Sequence, residues 1–81
     1  MGCAIMVRVT DTEESQRRLA EGSINAFLNG RTSQNWAIAM IRISRINKEA
    51  LKKLFSEFYE RKPGSMQLRE LEKACRQIDF L

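Results

Sequence analysis

The sequence predicts a mainly α-helical domain of three or four helices with a short N-terminal β-strand. Three observations lead there. From Asn47 to Ile78, apolar residues recur three and four apart in two arms separated by Lys62-Pro63-Gly64-Ser65, the pattern of two amphipathic helices joined at a tight bend. Residues of the helix-capping type, Thr10 and Asp11, Thr32 and Ser33, Asn47, and Ser65, precede each helical run. Finally, 81 residues with 43% hydrophobic content suit one domain, read over 1–81, with a thin core and no wholesale disorder.

The first element is a strand at 4–9. Ile5, Val7 and Val9 alternate with Met6 and Arg8, which is strand grammar with one buried face. A lone strand cannot satisfy its own backbone, so it requires a second strand here or in another subunit. A helix at 12–28 follows. Thr10 with Glu13, or Asp11 with Glu14, has capping-box spacing, and the acidic cluster complements the helix dipole. Leu19, Ala20, Ile24, Phe27 and Leu28 are expected to face inward. Gly22 and Ser23 weaken the middle by about 1 kcal/mol relative to alanine, and Asn29-Gly30 provides a left-handed stop.

The segment 34–44 reads two ways. Ala37, Ala39, Ile41 and Ile43 alternate with Trp36, Ile38, Met40 and Arg42, as in a buried strand. The same residues also fit a buried helix in which Trp36, Ala39, Met40 and Ile43 share one face. The alanines and Met40 favour helix, with an α+β fold carrying a second strand at 36–43 as the alternative. Either way the segment is assigned to the core, with Trp36 as a packing anchor.

Asn47 caps a helix at 48–61 bearing Leu51, Leu54, Phe55 and Phe58 on one side. Pro63 ends it, because proline disfavours helical geometry in the residue before it. A last helix at 66–78 carries Met66 or Leu68, Leu71, Cys75 and Ile78 on its apolar side. Phe80 and Leu81 are expected to dock.

The formal charge is +4, and it is unevenly spread. Eleven basic side chains against six acidic ones lie after residue 30, whereas the first thirty residues are slightly acidic. Such an excess suits nucleic acid, an acidic protein surface or an anionic membrane, and it also keeps a small protein in solution. Cys3 and Cys75 are the only cysteines and histidine is absent, so no zinc or haem constellation exists and no metal or cofactor is expected. Two reduced thiols in a cytoplasmic chain are the expectation. No apolar run approaches transmembrane length. Met1-Gly2-Cys3 would suit N-myristoylation, but Met6 stands where that signal wants Ser or Thr.

Two stretches carry resemblances. Over 55–78, Phe55 and Phe58 precede an interval from Tyr59 to Glu70 with Gly64 at its sixth place, Met66 at its eighth and Glu70 at its twelfth. This resembles an EF-hand helix-loop-helix. Places one, three and five, where that family puts oxygen ligands, hold Tyr59, Arg61 and Pro63, so the resemblance implies a calcium-dead scaffold that grips a partner helix. Over 5–43, MVRVTD, a helix, a Gly-Arg-Thr-Ser turn and a second helix resemble a ribbon-helix-helix domain. That likeness implies paired strands in the major groove with Met6 and Arg8 facing bases. The long interval from Val9 to Gly30 and the single strand cation depart from that family's pattern.

No nucleophile elbow, phosphate loop or carboxylate pair is present, and the usual general base is missing, so an enzyme is not expected. The expected role is a small adaptor, regulator or inhibitor covering a site on a larger protein partner. Phe55, Phe58, Tyr59 and Leu71 are the expected anchors, rimmed by Arg42, Arg45, Lys52, Arg61 and Lys62. The alternative is a dimeric nucleic-acid-binding regulator contacting phosphates or bases through Arg8, Arg45, Lys48, Lys52, Lys53, Arg69, Lys73 and Arg76.

Overall fold

The computed structural model describes residues 3–78, with the side chains of residues 13–77. Four helices follow in order: α1 (Cys3–Leu28), α2 (Gln34–Ser44), α3 (Lys48–Arg61) and α4 (Met66–Ile78). α1 packs chiefly on α2 and also touches α3 and α4, while α3 and α4 form a hairpin.

Each boundary has a local cause. α1 stops where Gly30 takes the left-handed conformation, φ +74°, and the Arg31 N–H donates to the Ala26 carbonyl at 2.8 Å, satisfying an otherwise orphaned acceptor. Ser33 caps α2 by accepting from the Trp36 N–H at 3.2 Å. Asn47 caps α3 by accepting from the Ala50 N–H at 2.7 Å, and the Ser65 hydroxyl accepts from the Leu68 N–H at 3.3 Å. α2 ends at Arg45, a non-glycine residue held at φ +60°, and Gly64 turns the hairpin at φ +82°.

The core gathers one stripe from every helix: Ala20 and Ile24 of α1, Ala37, Ile38 and Ile41 of α2, Leu51, Leu54, Phe55 and Phe58 of α3, and Leu68, Leu71 and Cys75 of α4, with Ile46 closing the corner between α2 and α3. Ser23, buried among them, satisfies its hydroxyl by donating to the Leu19 carbonyl at 2.7 Å. Polar ties lock the helices at the surface. Arg17 of α1 donates to both carboxylate oxygens of Glu57 on α3, at 2.8 and 3.0 Å. Gln34 of α2 donates to the Glu70 carbonyl of α4 at 3.1 Å.

Two expectations are corrected. The strand at 4–9 is instead part of α1, and no strand exists among the described residues. Valine and isoleucine lower helix stability by only tenths of a kcal/mol each, whereas an unpaired strand would leave its backbone groups unsatisfied. The segment 34–44 is the helix α2, the reading that its alanines and Met40 favour, but its inward face is not the expected one. Ala37, Ile38, Ile41 and Ser44 are buried, whereas Trp36 and Ile43 are 45% and 64% exposed. Ala39 is also exposed, and Met40 is half-buried. Residues 79–81, including the expected docking of Phe80 and Leu81, lie outside the described residues.

Candidate functional site

The structure separates the residues expected to bind a partner into interior and surface groups. Phe55, Phe58 and Leu71 are 2%, 1% and 0% exposed, so they chiefly hold the bundle together, and of the three only Phe55 borders a surface groove. Tyr59 is half-buried between α3 and α4, and its Oη donates to Glu72 Oε1 at 2.6 Å. Burial, then the hydrogen bond to the Glu72 carboxylate, push the Tyr59 phenol up to about 12, so it remains a neutral donor at physiological pH. The Arg61 guanidinium sits 4.4 Å over the Phe58 ring and 3.4 Å from Glu21. It is therefore engaged with its own chain. Arg42, Arg45, Lys52 and Lys62 are exposed, as are Lys48, Lys53, Arg69, Lys73 and Arg76. The side chain of Arg8 lies outside those described.

Along the α3–α4 hairpin the exposed cations border a groove. Lys48, Leu51, Lys52 and Phe55 from α3 face Glu72, Cys75 and Arg76 from α4 around a cavity of about 130 Å³. The helical spacing of each set, three and four residues apart, places them on facing stripes. Leu51, Phe55 and Cys75 form an apolar floor, all nearly buried. Burial, followed by the nearby Glu72 carboxylate, pushes the Cys75 thiol up to about 11, so this floor stays uncharged. Glu72 accepts from Tyr59 and, at 3.0 Å, from Arg76. A wider concavity of about 540 Å³ shares Glu72 and Arg76 and continues past Arg69 and Lys73 to Pro63 and Gly64 at the bend. The interval from Tyr59 to Glu70 thus divides into the end of α3, a bend and the start of α4. Among the described residues no three His, Cys, Asp or Glu side chains converge as a metal site would require.

The outer face of α2 is the second surface. Successive turns carry Trp36, Ala39 with Met40, and Ile43, opposite the buried stripe of Ala37, Ile38 and Ile41. α2 is therefore apolar on both sides, although among the described residues only one side is fully covered. A helix that is apolar all round is ordinarily buried all round, and an exposed tryptophan on the same helix face as an exposed isoleucine is the kind of apolar patch found at interaction sites. The sequence did carry a signal for this face. Within 34–44 Arg42 is the only charged residue, an excess of apolar side chains over what one buried stripe needs.

Compared with protein-family models, with curated proteins and with solved structures, the chain matches none. No helix among the described residues is long and apolar enough to cross a membrane.

Proposed function

We propose that this chain is a non-enzymatic binding protein, an adaptor, regulator or inhibitor that covers a site on a larger protein with the outer face of α2 as its anchor. The observation that carries the reading is the exposure of Trp36 and Ile43, at 45% and 64%, on a helix whose opposite face already fills the core. A partner offering an uncharged apolar groove would bury Trp36, Ala39 and Ile43 from consecutive turns in one stripe, the geometry of a helix laid into a groove. Trp36 is the chain's only tryptophan, so its fluorescence reports this face directly.

The test places a photo-crosslinking residue at Ala39 and exposes the protein to extract from its native host. A discrete protein adduct is expected, lost in a Trp36→Ser/Ile43→Ser variant whose thermal unfolding stays cooperative. An adduct that forms equally in that variant, or no protein adduct at all, would refute the reading. The purified partner should also shift Trp36 emission to the blue as its ring leaves water.

A further inference from the structure

The groove between α3 and α4 shares no lining residue with the outer face of α2, and its chemistry is different. Its floor is apolar, while its mouth carries Lys48, Lys52 and Arg76 with, among the described residues, one carboxylate, that of Glu72. Glu72 is already engaged by the Tyr59 hydroxyl at 2.6 Å and by Arg76 at 3.0 Å, so it has little capacity left to repel or attract a ligand. Lys52, Arg69 and Lys73 are exposed and form no ion pair among the described residues.

We propose that this groove binds an acidic peptide segment of a partner protein, with one apolar side chain seated on Leu51, Phe55 and Cys75 and its carboxylates directed to Lys52, Arg76, Lys73 and Arg69. Size limits the anchor. A cavity of about 130 Å³ holds one aromatic ring or one leucine-sized group, since an apolar cavity of roughly 150 Å³ accepts a benzene. The face of an entire helix would not fit. Spacing limits the rest of the ligand. Cys75 and Arg69 lie about 9 Å apart along α4 at 1.5 Å per residue, a distance that extended peptide covers in about three residues. The matching sequence is therefore a Phe or Leu followed, within about three or four positions, by two or more Asp or Glu. Exposed cations alone would accept nucleic acid as readily. The apolar floor beneath Lys48 and Lys52 favours a ligand that joins an apolar side chain to its negative charge, as a peptide does and phosphates alone do not.

A fluorescein-labelled peptide of one phenylalanine followed by a run of glutamates, titrated into the full chain and followed by anisotropy, tests this. Saturable binding is expected. It should weaken about tenfold when the peptide phenylalanine becomes alanine, and by a similar factor in Lys52→Glu, with further weakening as salt is raised. Arg76→Gln supplies a second variant should Lys52→Glu unfold. Three results would overturn the proposal: no binding by the peptide; equal binding by an all-glutamate peptide; or tighter binding by an oligonucleotide of equal charge. The Trp36→Ser/Ile43→Ser variant should bind the peptide as the unaltered protein does. If that variant alone abolishes binding, the peptide occupies α2 and the groove assignment falls. Failure of the groove experiment for any other reason leaves the α2 reading standing.

Discussion

Replacing Tyr59 with phenylalanine removes one oxygen atom, the donor that ties α3 to α4 through Glu72 at 2.6 Å. A hydrogen bond to a charged group contributes roughly 1.5–3 kcal/mol when well shielded. Tyr59 and Glu72 are only half-buried, and Arg76 remains to neutralise the carboxylate at 3.0 Å, so solvent screening reduces the expected loss to about 1 kcal/mol. For a domain of this length that lowers the melting temperature by about 4–8 °C. The pH dependence makes the prediction specific. The free phenol ionises near pH 10, while in the fold burial and Glu72 hold the proton up to about 12. Between those values the unfolded chain binds fewer protons than the folded one, so this contribution is complete below pH 10 and is lost as pH rises towards 12. Urea unfolding of both proteins at pH 7 and at about pH 11 is the assay. The stability gap between them should narrow at the higher pH. A neutral Tyr59→Phe, or a gap independent of pH, would refute the inference that the Tyr59–Glu72 bond joins the hairpin.

Other substitutions test the remaining joints. Arg45→Gly should stabilise the protein by about 1 kcal/mol, because Arg45 is held at φ +60°, where a side chain with Cβ is strained and glycine is not; a lower urea midpoint would contradict this. Gly64→Ala should cost about 1–2 kcal/mol on conformational grounds alone, since φ is +82° and an added Cβ meets nothing within 4 Å. An unchanged midpoint would show that the bend relaxes freely. Leu71→Ala, at a fully buried position, should cost about 2–5 kcal/mol. If it instead left stability intact, the hairpin stripes would not be core.

The sequence shows the hairpin clearly because its signals agree. Periodicity, the Asn47 cap, the Pro63-Gly64 break and Ser65 all point to the same two helices, and agreement between levels is what makes local structure readable. The N-terminal segment misleads because alternation over a few residues is a weak signal. Ile5, Val7 and Val9 fit a strand locally, but within α1 the backbone finds its partners without any second strand. The candidate site was only half visible. Its cationic rim at Lys52, Lys73 and Arg76 follows from charge and spacing. Phe58 and Leu71 look equally suited to a groove or to an interior, because burying an apolar stripe against a neighbour and burying it against a partner impose the same pattern.

By itself, then, the sequence determined a mainly helical chain, the position of its capping residues and the basic character of its second half, all consequences of interactions between residues close along the chain. Only the tertiary structure decided which side of α2 faces inward. An apolar pattern on both sides gives the helix no preferred rotation in isolation. The choice falls to the fit against neighbouring helices, where Ala37 and Ile41 join Ala20 and Ile24 in full burial. The small side chains there let helices approach closely, as a tryptophan would not. That fit turns Trp36 and Ile43 outward and leaves them exposed.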